Sequence, residues 1–326
     1  AGVADTTRRI AQELVVNEKV GVLAGFGLTP LALATAPIAT QSKTPMVVTA
    51  AATSAITEQS PYIVRTSFTL PQVTVPIADW AAKNGIKKVV TFVADYGPGL
   101  DAEKFFKSQF QLNGGQIVAE IRSPLRSPDF APFLQKVADL KPDAVFVFLP
   151  SGQGAAFMKQ FGERGLDKSG IKLIATGDVT DDDQLNDMGD VALGVVNSHH
   201  YSAAHPSAAN KKFVADYRKK HPDLRPSFYG AQSYDAAQLI NSAVVAVKGD
   251  TAKKDEMKAA ILIAAIDRTS AACSSSATAA PASRPPCAGS PRCCRTGSAP
   301  PRAAPPGMRS TPSTSWRPPG KYPGRT

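Results

Sequence analysis

The chain has 326 residues, with 37 Lys and Arg against 27 Asp and Glu, and four cysteines. At roughly 150 residues per domain the length suggests two domains, and a hydrophobic content of 43% supports a sizeable core rather than wholesale disorder. No run of about 18 apolar residues is present, so no membrane-spanning helix is expected. The opening AGVADTTRRI lacks a basic stretch followed by an apolar one. The expectation is therefore either a protein that is not exported or a true N-terminus lying upstream.

The net charge of +10 suggests nucleic acid until its distribution is read. Residues 268–326 hold eight Arg, one Lys and no acid, which is +9, and this leaves +1 for residues 1–267 with 28 basic and 27 acidic side chains. All four cysteines and 12 of the 27 prolines lie in the same segment. The body is thus near-neutral and cysteine-free, and no nucleic-acid partner is expected. Residues 268–326 have neither helical nor strand period, so a disordered Pro/Arg/Ser/Ala/Cys-rich tail is expected. Its cysteines (Cys273, Cys287, Cys293, Cys294) lack C-x-x-C spacing, which argues against zinc. Writing Ala271–Ser276 as GCN GCN TGY TCN TCN TCN and reading from each third base gives NGC, NTG, YTC, NTC, NTC. Four apolar residues then follow one another whichever synonymous bases are used. The preferred reading is a shifted frame in a GC-rich gene, with a genuine disordered segment as the alternative.

Along the body, apolar strand-length runs alternate with helical patterns. Val20–Ala24 reads as a strand. GFGLTP follows, with Thr29 as N-cap and Pro30 opening a helix to about Gln41. Pro45–Thr49 is the next strand, with the small-residue loop AAATSA after it. Residues 86–94 form a strand, DYGPG a turn, and a helix from Asp101 carries Phe106 and Phe110 until Asn113-Gly114-Gly115 stops it. Strands are expected at Gln116–Ile121, Ala144–Leu149, Ile171–Ala175 and Leu193–Asn197. Helices are expected over 129–140, 153–164, 207–220 and 231–246. Such alternation predicts parallel, doubly wound α/β sheets with ligand sites at the strand carboxyl ends. Hinge-like stretches at Ser67–Gln72 and His200–Pro206 divide the body. One lobe comprises 1–73 plus 205–267, the other 74–204.

The strand-end loops contain no His or Cys, which speaks against an enzyme and for a protein that needs no cofactor. GFGLTP lacks the third glycine of a dinucleotide fingerprint. A helix N-terminus with the Thr29 hydroxyl is nonetheless a good anion seat, or simply a capped helix. Gly177–Asp183 (GDVTDDD) lacks the alternate ligands of a calcium loop. There Asp181–Asp183 decorate a helix start, while Asp178 is placed for a ligand ammonium. His199, His200 and His205 lack metal spacing and read as a solvated connection. Tyr96 either closes over a ligand or caps a turn. No metal ligand set is expected.

The stretches DTTRRIAQELV, VGVLAGF, PMVVTAAATSAIT, IVRTSF, VVTFVADYGPGLDAEKF, PDFAPFLQKVADLKPDAVFVF, IKLIATGD and SYDAAQLI, in this order and spacing over residues 5–247, resemble the Leu/Ile/Val-binding (type I) family of periplasmic substrate-binding proteins that serve ABC transporters. The resemblance implies two α/β lobes clamping one small ligand. Its first-lobe hydroxyl falls on Thr29, and its small-residue loop on Ala50, Ala51 and Ala52. The family's Thr there is Ala52, so Thr53 substitutes. The second-lobe Tyr falls on Tyr96, and the acidic residue that holds an α-amino group falls on Asp178, where leucine binders carry Glu. The second-lobe aromatic after AVFVFL is absent, and Pro150 and Ser151 stand there. The implied ligand is a hydrophobic amino acid or an aromatic or aliphatic carboxylate. The implied partner is a membrane permease, and the protein is expected to be a periplasmic monomer. The resemblance further implies that the first lobe lacks its N-terminal strands and that the chain departs from the family after about residue 267. A ligand-sensing receptor domain of the same fold and a non-functional fragment are the alternatives.

Overall fold

Alternate residues of the Val-rich segment Lys88–Ala94 (β4) point to opposite faces of a sheet, and both faces are buried. Val89 and Val93 join a core with Leu70, Ile77, Phe106 and Phe146. Val90, Phe92 and Ala94 join another with Leu134, Val137, Phe157 and Phe161. Burial on both sides is the condition under which a parallel strand reads as a continuous apolar run. It holds equally for Ala144–Phe148 (β6), whose five residues are all buried.

The computed structural model describes residues 2–126 and 129–264. The expectations for residues 268–326, the disordered tail and the shifted frame, lie outside the described residues. Among the described residues there are two all-parallel sheets. The larger has the order β5-β4-β6-β7-β8, with β5 at Gln116–Ser123, β7 at Lys172–Thr176 and β8 at Val196–Ser198. One face is covered by Leu70–Lys83 (α3) and Gly97–Leu112 (α4), the other by Ala131–Leu140 (α5) and Gly154–Glu163 (α6). From β4 the chain goes outward to β5 and then returns past β4 to β6. Strand order therefore reverses between β4 and β6, and the carboxyl ends at such a reversal are where sheets of this kind bind ligands.

The smaller sheet has the order β1-β2-β3 (Leu23–Gly25, Met46–Val48, Ile63–Arg65). Ala4–Val16 (α1) and Thr29–Gln41 (α2) pack on one face with Met46 and Val48. Phe228–Ala246 (α9) and the helical residues 254–264 pack on the other with Val47. Leu185–Met188 (α7) and Ala208–Lys220 (α8) complete the helices whose ends fall within the described residues.

Several boundaries differ from the sequence reading. α4 begins at Gly97, four residues early, because Pro98 suits the first turn. Gly99 permits the close approach, since a Cβ there would collide with the Ala94 carbonyl oxygen. β8 is Val196–Ser198 rather than Leu193–Asn197, and Leu193 is 77% exposed. α9 starts at Phe228, where the Ser227 hydroxyl accepts from the Gly230 N–H at 3.4 Å. Within the hinge-like stretch 67–72, Thr69 and Gln72 form a capping box that opens α3, with the Thr69 N–H donating to Gln72 Oε1 at 2.7 Å. α1, β3, α3 and the 254–264 helix have no counterpart among the expected elements.

Candidate ligand-binding site

The loops at the strand carboxyl ends supply the expected site residues. Tyr96 is the extended residue before α4, Ser151 follows β6, and Asp178 follows β7. On the smaller sheet, Thr29 follows β1 and Ala50–Thr53 follow β2.

Thr29 is the first residue of α2, not its N-cap. Leu28 holds the cap position, and no side chain caps this helix. The Thr29 hydroxyl, almost fully buried, is instead hydrogen-bonded to Thr53 Oγ1 at 2.9 Å. Between these two, the Ala51 N–H donates to the Phe26 carbonyl at 2.9 Å. The N–H groups of Ala52 and Thr53 have no backbone acceptor among the described residues. Ala52 packs its methyl into the core beside Phe68, and Ala50 is half-buried, so neither offers more than backbone. A helix start, two hydroxyls and N–H groups without a backbone acceptor are the kind of groups that can hold an anion.

The start of α4 lies beside these groups. A Cβ on Gly97 would lie 3.6 Å from Thr53 Oγ1 and 3.8 Å from Thr29 Cγ2. One turn on, Asp101 Oδ2 accepts from both the N–H and the hydroxyl of Ser54, each at 2.9 Å. Arg65, at the end of β3, holds the Thr53 carbonyl (Nη2, 2.8 Å) and the Phe68 carbonyl (Nη1, 3.1 Å). Burial lowers the Arg65 pKa, and the Asp101 charge works against that shift.

On the larger sheet, Asp178 is 7% exposed and its Oδ2 has no hydrogen-bond partner among the described residues. Burial pushes its carboxyl up to about 7, with neighbouring Asp181 adding to the rise. No cationic side chain contributes to that environment. Tyr96 and Tyr229 are both raised above the ordinary phenol range, first by burial and then by the Asp178 charge. Ser151 donates to the Asp178 carbonyl at 3.4 Å and lies beside Tyr229 and Asp181. Tyr96 also stacks on Phe148, with centroids 6.3 Å apart. The structure thus places Tyr96, Ser151 and Asp178 near one another, with Tyr229 and Asp181 beside them. The sequence reading begins this helix at residue 231 and so leaves Tyr229 out of it; the signal for Tyr229 is the aromatic pair that follows Ser227, a good N-cap residue.

His199 corrects another expectation. The solvated connection holds for His200, which is exposed, and for His205, whose Nδ1 accepts from the Ser207 N–H at 3.4 Å in an exposed turn. His199 is wedged between Phe68 (4.7 Å) and Phe228 (4.3 Å), with both ring nitrogens buried and unpartnered. Burial holds its pKa down to about 3, with His200 adding to the fall. His200 stacks on Phe68 at 4.8 Å and accepts from Gln232 Nε2 at 2.9 Å. The packing partners come from α9 and the β3–α3 connection, distant in sequence. Among the described residues, no group of three or more His, Cys, Asp or Glu is arranged to hold a metal ion.

A sequence profile of the periplasmic binding proteins matches residues 1–275. The chain belongs to the periplasmic binding protein family. It is 46% identical over 255 residues to Leu/Ile/Val-binding protein homolog 6 of Brucella abortus (strain 2308), covering 78% of this chain and 65% of that one. The chain therefore spans about two thirds, 65%, of the length of that curated relative. A solute-binding protein of an ABC transporter from Rhodopseudomonas palustris BisB5, solved with 3,4-dihydroxybenzoic acid, is 61% identical with a TM-score of 0.77, covering 79% of this chain and 70% of that one. Another from R. palustris, solved with 4-hydroxybenzoate, is 42% identical with a TM-score of 0.76, covering 80% and 71%.

Proposed function

We propose that this member of the family is the solute-binding component of an ABC-type uptake system. In this reading it works in the periplasm as a monomer, closes two lobes on a small aromatic carboxylate and passes it to a membrane permease. The lobes are residues 1–73 with 205–267, and 74–204. The observation that carries the reading is the group of Thr29, Thr53 and the Ala52–Thr53 N–H groups, with the start of α4 beside it and the aromatic side chains of Tyr96 and Tyr229 on the larger-sheet side. A carboxylate held by those groups leaves a planar ring for those aromatic side chains, and clamping it requires no chemistry. The aromatic-acid ligands of the two R. palustris relatives support the same class. A second reading, a Leu/Ile/Val-type amino acid, is supported by the name of the curated relative and by Asp178, whose orphaned carboxylate suits an ammonium.

Titration calorimetry of the full chain with benzoate and with leucine separates the two. The aromatic reading expects saturable heat with benzoate and none with leucine at the same concentrations. Binding of leucine alone would replace it with the amino-acid reading.

A further inference from the structure

We infer that Asp178 is a specificity-determining residue that accepts a hydrogen bond from a ring hydroxyl, so that the cleft selects hydroxylated aromatic acids over unsubstituted ones. The inference rests on the aromatic-carboxylate reading and assigns the other end of the ligand. Asp178 is 7% exposed, and one of its carboxylate oxygens has no hydrogen-bond partner among the described residues. An orphaned acceptor of this kind costs stability unless something supplies a donor.

The groups facing it are all acidic or neutral. Tyr96 comes from the start of α4, Tyr229 from the start of α9, Ser151 from the end of β6, and Thr176 and Asp181 from its own loop and strand. With no Lys or Arg among them, its carboxyl is pushed up to about 7. A phenolic O–H matches this setting. It donates one hydrogen bond without adding charge, and its ring continues the stack of Tyr96 on Phe148. The carboxylate of the same ligand then points away from Asp178, toward Thr29 and Thr53, which avoids like-charge repulsion. A cleft that hydrogen-bonds a ligand hydroxyl binds the analogue lacking it more weakly, because the buried acceptor is again left unpaired.

The test is calorimetry of the full-length wild-type chain at pH 8 with benzoate, 4-hydroxybenzoate and 4-methoxybenzoate. The expected result is 4-hydroxybenzoate tighter than the other two by roughly ten- to a hundredfold, the range of a hydrogen bond to a charged group. In Asp178→Ala the ratio of benzoate to 4-hydroxybenzoate dissociation constants falls toward one. Asp178→Asn, close in shape, is the second variant, and either one binding benzoate demonstrates a folded cleft. Equal wild-type affinities for benzoate and 4-hydroxybenzoate overturn the inference while leaving the aromatic reading intact. So does a ratio unchanged in both variants. If none of the three acids binds wild type, the aromatic reading itself fails.

Discussion

Asp101 and Ser54 lie 47 residues apart, yet one carboxylate oxygen of Asp101 accepts from both the backbone N–H and the hydroxyl of Ser54, each at 2.9 Å. Asp101 belongs to α4 on the five-stranded sheet, and Ser54 opens a short 3-10 turn after β2 on the three-stranded one. The bond pair therefore fastens the start of α4 beside Thr29 and Thr53. Asp101→Ala removes both acceptor contacts. The expected loss is about 1–2 kcal/mol of stability by urea unfolding, together with a several-fold weaker benzoate affinity as the closed form becomes less populated. Unchanged affinity alongside reduced stability would assign the contact to folding alone.

Glu103 provides a second test. Its side chain is 5% exposed and receives Arg122 through Nε at 2.9 Å and Nη2 at 2.7 Å, while Thr91 donates to the other oxygen at 3.1 Å. Arg122 is 44% exposed, so solvent screens the pair on one side. Arg122→Ala leaves a buried carboxylate short of its strongest donor and is expected to cost about 2 kcal/mol. Adding Glu103→Gln should recover part of that loss, because the uncompensated charge is gone. A double variant no more stable than the single would contradict this.

The pH dependence of stability contains opposed contributions, of which His199 and Asp178 are two. His199, held down to about 3, stays neutral in the fold while an unfolded histidine protonates near its ordinary 6.5. Its contribution is complete above 6.5 and is lost progressively as pH falls toward 3. Asp178, pushed up to about 7, acts in the other sense. The folded state holds a proton that the unfolded state releases above about 4, so this contribution is greatest below 4 and is lost as pH rises through 7. His199→Phe, which keeps a ring between Phe68 and Phe228, should leave the Asp178 profile alone. Urea midpoints measured from pH 7.5 to 4.5 should therefore rise more, or fall less, for this variant than for wild type. Parallel profiles would mean that His199 titrates normally.

What could be read from the sequence followed from how local the deciding interactions are. β4 and β6 were legible because burial on both faces leaves an unbroken apolar run. Thr29, Tyr96, Ser151 and Asp178 were legible as candidates because ligands meet such folds at strand carboxyl ends. α3 was not, because Pro71 and Pro76 break the pattern, although one sits in the first turn and the capping box fixes the start. β3 is three residues long, too short to show a period. The burial of His199 depends on Phe68 and Phe228, 131 and 29 residues away, and no local pattern in SHHY encodes it. The pairing of Thr29 with Thr53 likewise depends on β1 and β2 lying in register, Gly25 beside Val48.

A crystal structure of the full chain grown with 4-hydroxybenzoate examines the proposed clamp in one step. The ligand carboxylate should lie within hydrogen-bond distance of the Thr29 and Thr53 hydroxyls and the Ala52 or Thr53 N–H. Its ring should rest beside Tyr96, with its hydroxyl on Asp178. A ligand bound outside the space between the two sheets, or with its carboxylate turned toward Asp178, would contradict the assignment of both ends of the site.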